Sequence, residues 1–168
     1  MSSSKVLSLT NDFKYYSKVK NIIILNDNFL DEKKNAKRKI EIFKIKVKNK
    51  KQLNKVYSYS EKIYHQLLSD LTKQLNIIHN LKKKERYWEI IVGCWLIDFI
   101  LISLKNFLTI EKVLKKRKIS KCIVMKNLNE SLHTLNTIEA ANGHNDSDWN
   151  FALNSKILKF LNPKMKFL

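Results

Sequence analysis

Glycine and proline are scarce in this chain of 168 residues, which contains two glycines and one proline. Gly93 and Gly143 lie far apart, so the sequence has neither the G-x-G-x-x-G fingerprint of dinucleotide-binding folds nor a glycine-rich P-loop. No internal repeat and no Pro/Gly-rich linker interrupts the chain. The sequence therefore predicts a single domain without either of these glycine-dependent nucleotide sites.

Cysteine and histidine are rare as well. Cys94 and Cys122 are the two cysteines, and they form neither a metal-site spacing nor a disulfide framework. Because Cys94 lies in an apolar run, we expect it to be a buried, reduced thiol. No histidine pair matches H-x-x-x-H or H-E-x-x-H, so no metal site is predicted. The four histidines are His65, His79, His133 and His144.

Arginine is nearly absent although the chain is strongly basic, with 33 Lys and Arg residues, 15 acidic residues and a net charge of +18. Arg38, Arg86 and Arg117 are the three arginines. Arginine is the residue that binds phosphate and guanine in bidentate fashion, so its scarcity argues against nucleic acid as a partner. The lysines are interpreted mainly as a compositional bias at solvated positions. Attraction to an anionic membrane, or to nucleic acid or an anionic substrate, remains open.

The N-terminal residues lack the apolar core of a secretory signal peptide. We therefore expect a cytoplasmic protein. The excess of lysine leaves a peripheral contact with the inner face of the membrane as an option.

Short apolar runs predict about three strands. Residues 21–25 are typical of a buried strand, residues 39–48 alternate as in an edge strand with a bulge at Phe43, and residues 121–125 form the third. Asp27 and Asn28 follow the first of these strands, where they form either one wall of a ligand cleft or an ordinary turn.

Helical periodicity predicts three helices. Ser58 or Ser60 is expected to cap an amphipathic helix that ends near Asn80. Residues 85–108 are apolar on nearly every side and favour a buried central helix over a membrane-associated one, because Glu89 and Asp98 interrupt the run. The third helix is expected to begin at Asp146 or Asp148 and to end before Pro163.

These elements together predict an α/β fold, with a small sheet of about three strands and two long central helices. We expect residues 1–20 to be a loose lead-in, residues 21–162 to be a single domain, and residues 163–168 to be a tail.

Individual polar and aromatic residues allow two interpretations each. His79 is either a helix-terminal histidine facing the helix dipole or part of a site. Arg86 pairs with a nearby carboxylate or holds an anionic ligand. Trp149 is a core anchor beside an N-cap aspartate or a platform for a ligand. In each case the structural interpretation is favoured.

Three segments together resemble a known family. They are an "LN-x-x-H" element at residues 75–79, an "RYW…GxWL" element at residues 86–96 and a "DWN" element at residues 148–150. Their order and spacing resemble the N-terminal part of a bacterial family of transferases associated with surface-carbohydrate biosynthesis. Its architecture is glycosyltransferase-like and two-lobed. The resemblance covers residues 20–160, with Cys94 where the family has proline and Lys105-Asn106 where it has an Asp-Arg pair.

The resemblance implies an incomplete Rossmann-like lobe on the acceptor side of such an enzyme, possessing no cofactor of its own. The nucleotide-sugar donor would be held by a C-terminal lobe or a partner chain, so this chain is expected to be truncated and inactive alone. A carbohydrate acceptor is the implied substrate.

The same resemblance implies site residues. His79 and Arg86 are the implied catalytic residues. The implied substrate-binding residues are Asn76, Trp88, Trp95, Asp148 and Asn150.

A different class of function remains as the alternative. The chain would then be a non-catalytic, basic helical module that binds nucleic acid or an anionic membrane surface. Under either reading the two long helices carry apolar stripes, and we expect poor solubility of the isolated chain.

Overall fold

The computed structural model describes residues 5–25, 39–45, 49–126, 132–133, 139 and 142–167, without the side chains of Phe13 and His144. It divides into two compact units. The sheet unit comprises Met1–Ile45 and Asn106–Leu168, and the hairpin unit comprises Lys46–Lys105. The expected loop at Asp27 and Asn28 lies outside the described residues.

The sheet unit is built on four parallel strands among the described residues, in the order β3-β2-β1-β4. The sequence predicted about three, and that number is wrong. The additional strand, β1, falls in the expected lead-in and lies in the middle of the sheet. The strands are β1 Lys5–Ser8, β2 Asn21–Ile24, β3 Lys39–Ile42 and β4 Ile119–Ile123.

Burial explains why two strand patterns differ. In β2, Ile22, Ile23 and Ile24 are all fully buried, as expected for a parallel strand covered on both faces. In β3 the side chains are exposed or half-buried, and β3 is an edge strand as its alternating lysines predicted. Phe43, immediately after β3, is buried, and its backbone N–H donates to the carbonyl of Ile24 over 2.8 Å.

The helices differ from the predicted ones mainly at their ends. Helix α2 begins at Lys50 because the side chain of Asn49 accepts a hydrogen bond from the Gln52 N–H, which is N-cap geometry. The predicted caps Ser58 and Ser60 are therefore wrong, since both lie inside the helix. The helices are α1 Phe13–Tyr16, α2 Lys50–Ile78, α3 Glu85–Lys116 and α4 Ser147–Leu161.

Helix α3 is long and apolar enough to cross a membrane by length and composition, which is weak evidence of a span. The expectation of a buried central helix is wrong, because only 17% of its most apolar stretch is buried. Leu96 and Ile100 pack against Leu68 of α2. Cys94, expected to be buried, is exposed because it lies on the side of α3 away from that contact.

The last helix begins where the sequence predicted. The Asp146 carboxylate accepts a hydrogen bond from the Trp149 N–H over 2.6 Å and caps α4. Gly143, in a short 3-10 turn, lies so close to the Trp149 ring that a Cβ would approach its Cε2 to 3.0 Å. Trp149 is buried, which confirms the core-anchor interpretation.

The core of the sheet unit includes residues from every layer. Tyr16 of α1, Val113 of α3, Cys122 of β4 and Phe151 of α4 are all almost fully buried. Burial raises the pKa of the Cys122 thiol to about 12, because the apolar interior disfavours the thiolate. Cys122 is therefore the structural thiol of the chain.

Candidate functional site

The carboxyl end of the central strand β1 leads into a polar turn. Ser8 and Thr10 are both buried, and the Ser8 hydroxyl donates to the Thr10 carbonyl over 2.6 Å. The Thr10 hydroxyl accepts from the Asp12 N–H at 3.1 Å, and the Asp12 carboxylate accepts from the Lys14 N–H at 3.0 Å. These bonds satisfy backbone groups that the end of the strand leaves open, and they fix where Asp12 and Lys14 lie.

Four side chains meet beyond this turn, and we call them the acid–lysine cluster: Asp12, Lys14, Tyr15 and Asp148. The Lys14 ammonium lies 2.9 Å from an Asp12 carboxylate oxygen and 3.7 Å from one of Asp148. The Tyr15 hydroxyl donates to Asp148 over 3.2 Å. The hydrogen bond to Asp12 raises the pKa of Lys14, and Asp148 adds to the effect. Lys14 is therefore a firmly protonated ammonium between two carboxylates.

Helix α4 holds the cluster against the sheet. The Tyr15 ring packs on Phe151, with centroids 4.8 Å apart. The Asn154 amide donates to the Leu9 carbonyl after β1, and the Met125 N–H after β4 donates to the Ser155 hydroxyl. One helix thus contacts the carboxyl ends of two neighbouring strands.

The position of the cluster in the sheet is informative. From β1 the chain proceeds to β2 and β3 on one side, and β4 then pairs on the other side of β1. Ligands of open parallel sheets bind at the carboxyl ends of the strands where the order reverses in this way. Asn154, at this edge, is buried, and its side-chain oxygen Oδ1 has no hydrogen-bond partner among the residues that the structure describes.

The chemistry of the cluster suits a hydroxyl-rich ligand. Carboxylates accept hydrogen bonds from hydroxyl groups, and an ammonium donates to hydroxyl or carbonyl oxygens. Two carboxylates beside one lysine disfavour a polyanion. Among the described residues no group of three His, Cys, Asp or Glu side chains is placed to hold a metal ion.

A second group of polar side chains lies in the hairpin unit, around Asn76. Its side-chain oxygen accepts from the Lys83 N–H at 2.9 Å and from the Trp88 indole N–H at 3.0 Å. Its amide donates to the Lys83 carbonyl over 2.8 Å. His79 stacks on Trp88 with ring centroids 5.5 Å apart. Three of the predicted site residues are therefore in contact, and they hold the connection between α2 and α3.

The other predicted residues of the hairpin unit also have structural partners. Arg86 is 77% exposed in its side chain and pairs with Glu89 over 2.7 Å, as the structural interpretation expected. Trp95 stacks on Phe99 with centroids 5.3 Å apart. These contacts leave the implied catalytic roles of His79 and Arg86 as predictions.

Asp148 and Asn150 belong to the other unit. Asp148 lies in the acid–lysine cluster, whereas the Asn150 side-chain amide donates to the backbone carbonyl of Asp146, the N-cap of α4, over 2.7 Å. Sequence reasoning missed Asp12, Lys14 and Tyr15 because it did not recognise β1. The signal that could have found them is the apolar run VLSL followed by T-N-D, a strand leading into a polar turn.

Comparison with known proteins assigns the class. A family model of transferases matches residues 5–167, which includes both units of the structure. The chain belongs to the LIC12162 family of transferases. Searches of the curated proteins and of the solved structures gave no match.

Proposed function

We propose that this chain is the acceptor-side lobe of a glycosyltransferase that builds cell-surface polysaccharide, and that the carbohydrate acceptor binds at the acid–lysine cluster. Membership of a transferase family and the resemblance to surface-carbohydrate enzymes support the class of reaction. The observation that carries the site is the position of Asp12, Lys14 and Asp148 at the carboxyl end of the central strand, where the strand order reverses.

The cluster has groups suited to a sugar. The carboxylates of Asp12 and Asp148 would accept from neighbouring hydroxyls, and Lys14 would donate to a ring or hydroxyl oxygen. Asn154 offers a buried side-chain oxygen that has no donor within the described part of the chain, and a hydroxyl group of the ligand would satisfy it. A carbohydrate would therefore complete a hydrogen bond that the described residues leave unmade at Asn154.

The donor would be bound elsewhere. A nucleotide-sugar needs several donors around its phosphates, and the cluster contains more carboxylates than cations. A second lobe, or a partner chain, is the proposed source of the donor site. Acceptor and donor would then meet only when both lobes are present, and closure of the lobes around the bound substrates would exclude water from the reaction.

Asp148→Asn and Asp12→Asn, separately and together, test the acceptor site. Each keeps the size of the side chain and removes the negative charge. The gene is deleted in the source organism, each variant is expressed in its place, and the surface polysaccharide is quantified. We expect the double variant to lose about tenfold or more of polymer formation, since each lost charge-assisted bond costs about 1.5–3 kcal/mol.

Asp70→Asn is the matched control, because Asp70 is an exposed acid paired with Lys73 in the hairpin unit. It is expected to restore polysaccharide fully. The thermal unfolding of each purified variant establishes that the fold is retained. If the double variant is folded, is present at wild-type level and makes normal polymer, the acceptor site is not at this cluster.

A further inference from the structure

The connection between α2 and α3 presents apolar side chains to solvent. Ile77 is 73% exposed, Ile78 70% and Ile90 70%, and Leu81 and Ile91 are also exposed. We call these five residues, with Lys82, Lys83 and Lys84, the hairpin tip. Isolated exposed apolar residues are ordinary, but several at one end of a hairpin indicate a surface that contacts something apolar.

The hairpin tip is also cationic. Lys82, Lys83 and Lys84 are exposed, and within the described part of the chain neither Lys82 nor Lys84 forms an ion pair. Arg86 and Glu89, one turn further along, neutralise each other. The apolar side chains are therefore accompanied by net positive charge.

The backbone of the tip is held in one conformation. Asn76 binds both backbone groups of Lys83 through its side chain, and its carbonyl accepts from the Leu81 N–H over 2.9 Å. Asn80 takes a positive φ of 51°, which asparagine tolerates better than most residues. A preorganised turn presents its side chains at a low entropic cost of binding.

The combination of apolar and cationic side chains selects among partners. A second copy of the chain would bring three lysines of one tip against those of another in a protein of net charge +18, which opposes association. Nucleic acid would leave the isoleucines without an apolar partner. An anionic bilayer satisfies both, because its acyl region accepts apolar side chains and its headgroups attract lysine.

We propose that the hairpin tip docks the protein on an anionic membrane. Ile77, Ile78 and Leu81 enter the interface between headgroups and acyl chains, and the three lysines bind anionic headgroups beside them. This inference concerns the hairpin unit and stands independently of an acceptor site in the sheet unit.

Vesicle flotation with the full chain tests the proposal. The vesicles contain phosphatidylcholine alone or phosphatidylcholine rich in phosphatidylglycerol, each at low and at physiological salt. We expect binding to the anionic vesicles that weakens with salt and little binding to the neutral ones. Lys82→Gln/Lys83→Gln/Lys84→Gln and Ile77→Ser/Ile78→Ser should each weaken binding about tenfold or more.

Two control variants distinguish docking by the hairpin tip from nonspecific attraction of a basic protein to anionic lipid. Lys50→Gln/Lys51→Gln/Lys55→Gln removes the same charge from exposed positions at the other end of α2, and its effect should be less than about threefold. Phe160→Ser removes an apolar side chain of α4 that is as exposed as those of the tip, and it should leave binding unchanged.

A fluorescent probe at the hairpin tip distinguishes insertion of its side chains into the bilayer from adsorption on the bilayer surface. An environment-sensitive dye on Leu81→Cys, in a Cys94→Ser background, should shift to the blue on anionic vesicles. The proposal is overturned if the chain does not bind anionic vesicles or if both tip variants bind as the wild type does. It is also overturned if the triple lysine variant of the tip and the triple lysine control variant weaken binding equally. A tip-dependent dimer with no vesicle binding would also overturn it. None of these outcomes alters the polysaccharide phenotype expected for Asp12 and Asp148.

Discussion

The two units bury apolar residues in opposite ways. The sheet unit contains short strands of four or five residues, yet its core residues Leu7, Ile22 and Ile23 have no exposed surface. The hairpin unit contains the longest apolar run of the chain, yet its buried cluster consists of Leu68, Leu96 and Ile100. Apolar composition therefore does not determine burial, because two antiparallel helices can cover only one face of each other.

The charged and polar contacts differ in a similar way. In the sheet unit Glu41 of β3 pairs with Lys5 of β1 and, over 2.6 Å, with Arg117, so an edge strand is joined to residues distant in sequence. In the hairpin unit two ion pairs each join residues three positions apart in a single helix: Arg86 and Glu89 in α3, and Asp70 and Lys73 in α2. Long-range contacts stabilise the sheet, whereas local contacts stabilise the helices.

The largest difference in stability between the two units should appear when an isoleucine of each is replaced by alanine. Ile23→Ala in β2 is expected to lower the free energy of unfolding by about 2–5 kcal/mol, because it leaves a cavity in a fully packed core. Ile90→Ala on the exposed side of α3 should change it by less than about 0.5 kcal/mol. Urea unfolding followed by circular dichroism measures both. Equal losses would mean that the outer face of α3 is covered.

An intermediate effect is expected at the connection of the hairpin. Asn76→Ala removes the bonds to Lys83 and Trp88, and leaves polar partners unmatched, so we expect a loss of about 1–3 kcal/mol. Hydrogen exchange should increase at the Lys83 amide. Asn54→Ala, at an exposed position of α2, is the control and should be nearly neutral. Unchanged protection at Lys83 would show that the connection does not depend on Asn76.

The smallest effect concerns Glu41 and depends on pH. Hydrogen bonding to Lys5 and the charge of Arg117 lower the pKa of Glu41 below its ordinary value. Because its pKa is lower in the folded state, Glu41 stabilises the fold at pH values above its unfolded pKa of about 4.3. This contribution is lost as the pH falls through the pKa of the folded state.

Glu41→Gln should therefore cost about 1 kcal/mol near neutral pH, and the difference from wild type should vanish in acid. Glu111→Gln, in an exposed pair with Lys115, should have less effect. Urea unfolding at several pH values checks the prediction, and a constant difference down to strong acid would contradict the pKa argument.

The helices were largely predictable from sequence, and the sheet was less so. The repeat of apolar residues such as Ile63, Leu67 and Leu71 indicated α2. The pair Asp146 and Asp148 indicated the start of α4, because both signals are local. Strand β1 was not predicted because Ser8 interrupts its apolar residues, whereas β2 has three successive isoleucines. Pairing with β2 and β4 makes a strand of Lys5–Ser8. The candidate site was missed with it, apart from Asp148.

The amino-acid sequence by itself determined the excess of lysine, the lack of glycine-dependent nucleotide motifs and the existence of the long helices. The α/β class follows from the same local patterns. Tertiary structure decided the order of the strands, which side of α3 is exposed and the meeting of Lys14 with Asp148. The reason is that these features depend on contacts between residues far apart in the chain, and local periodicity carries no information about such contacts.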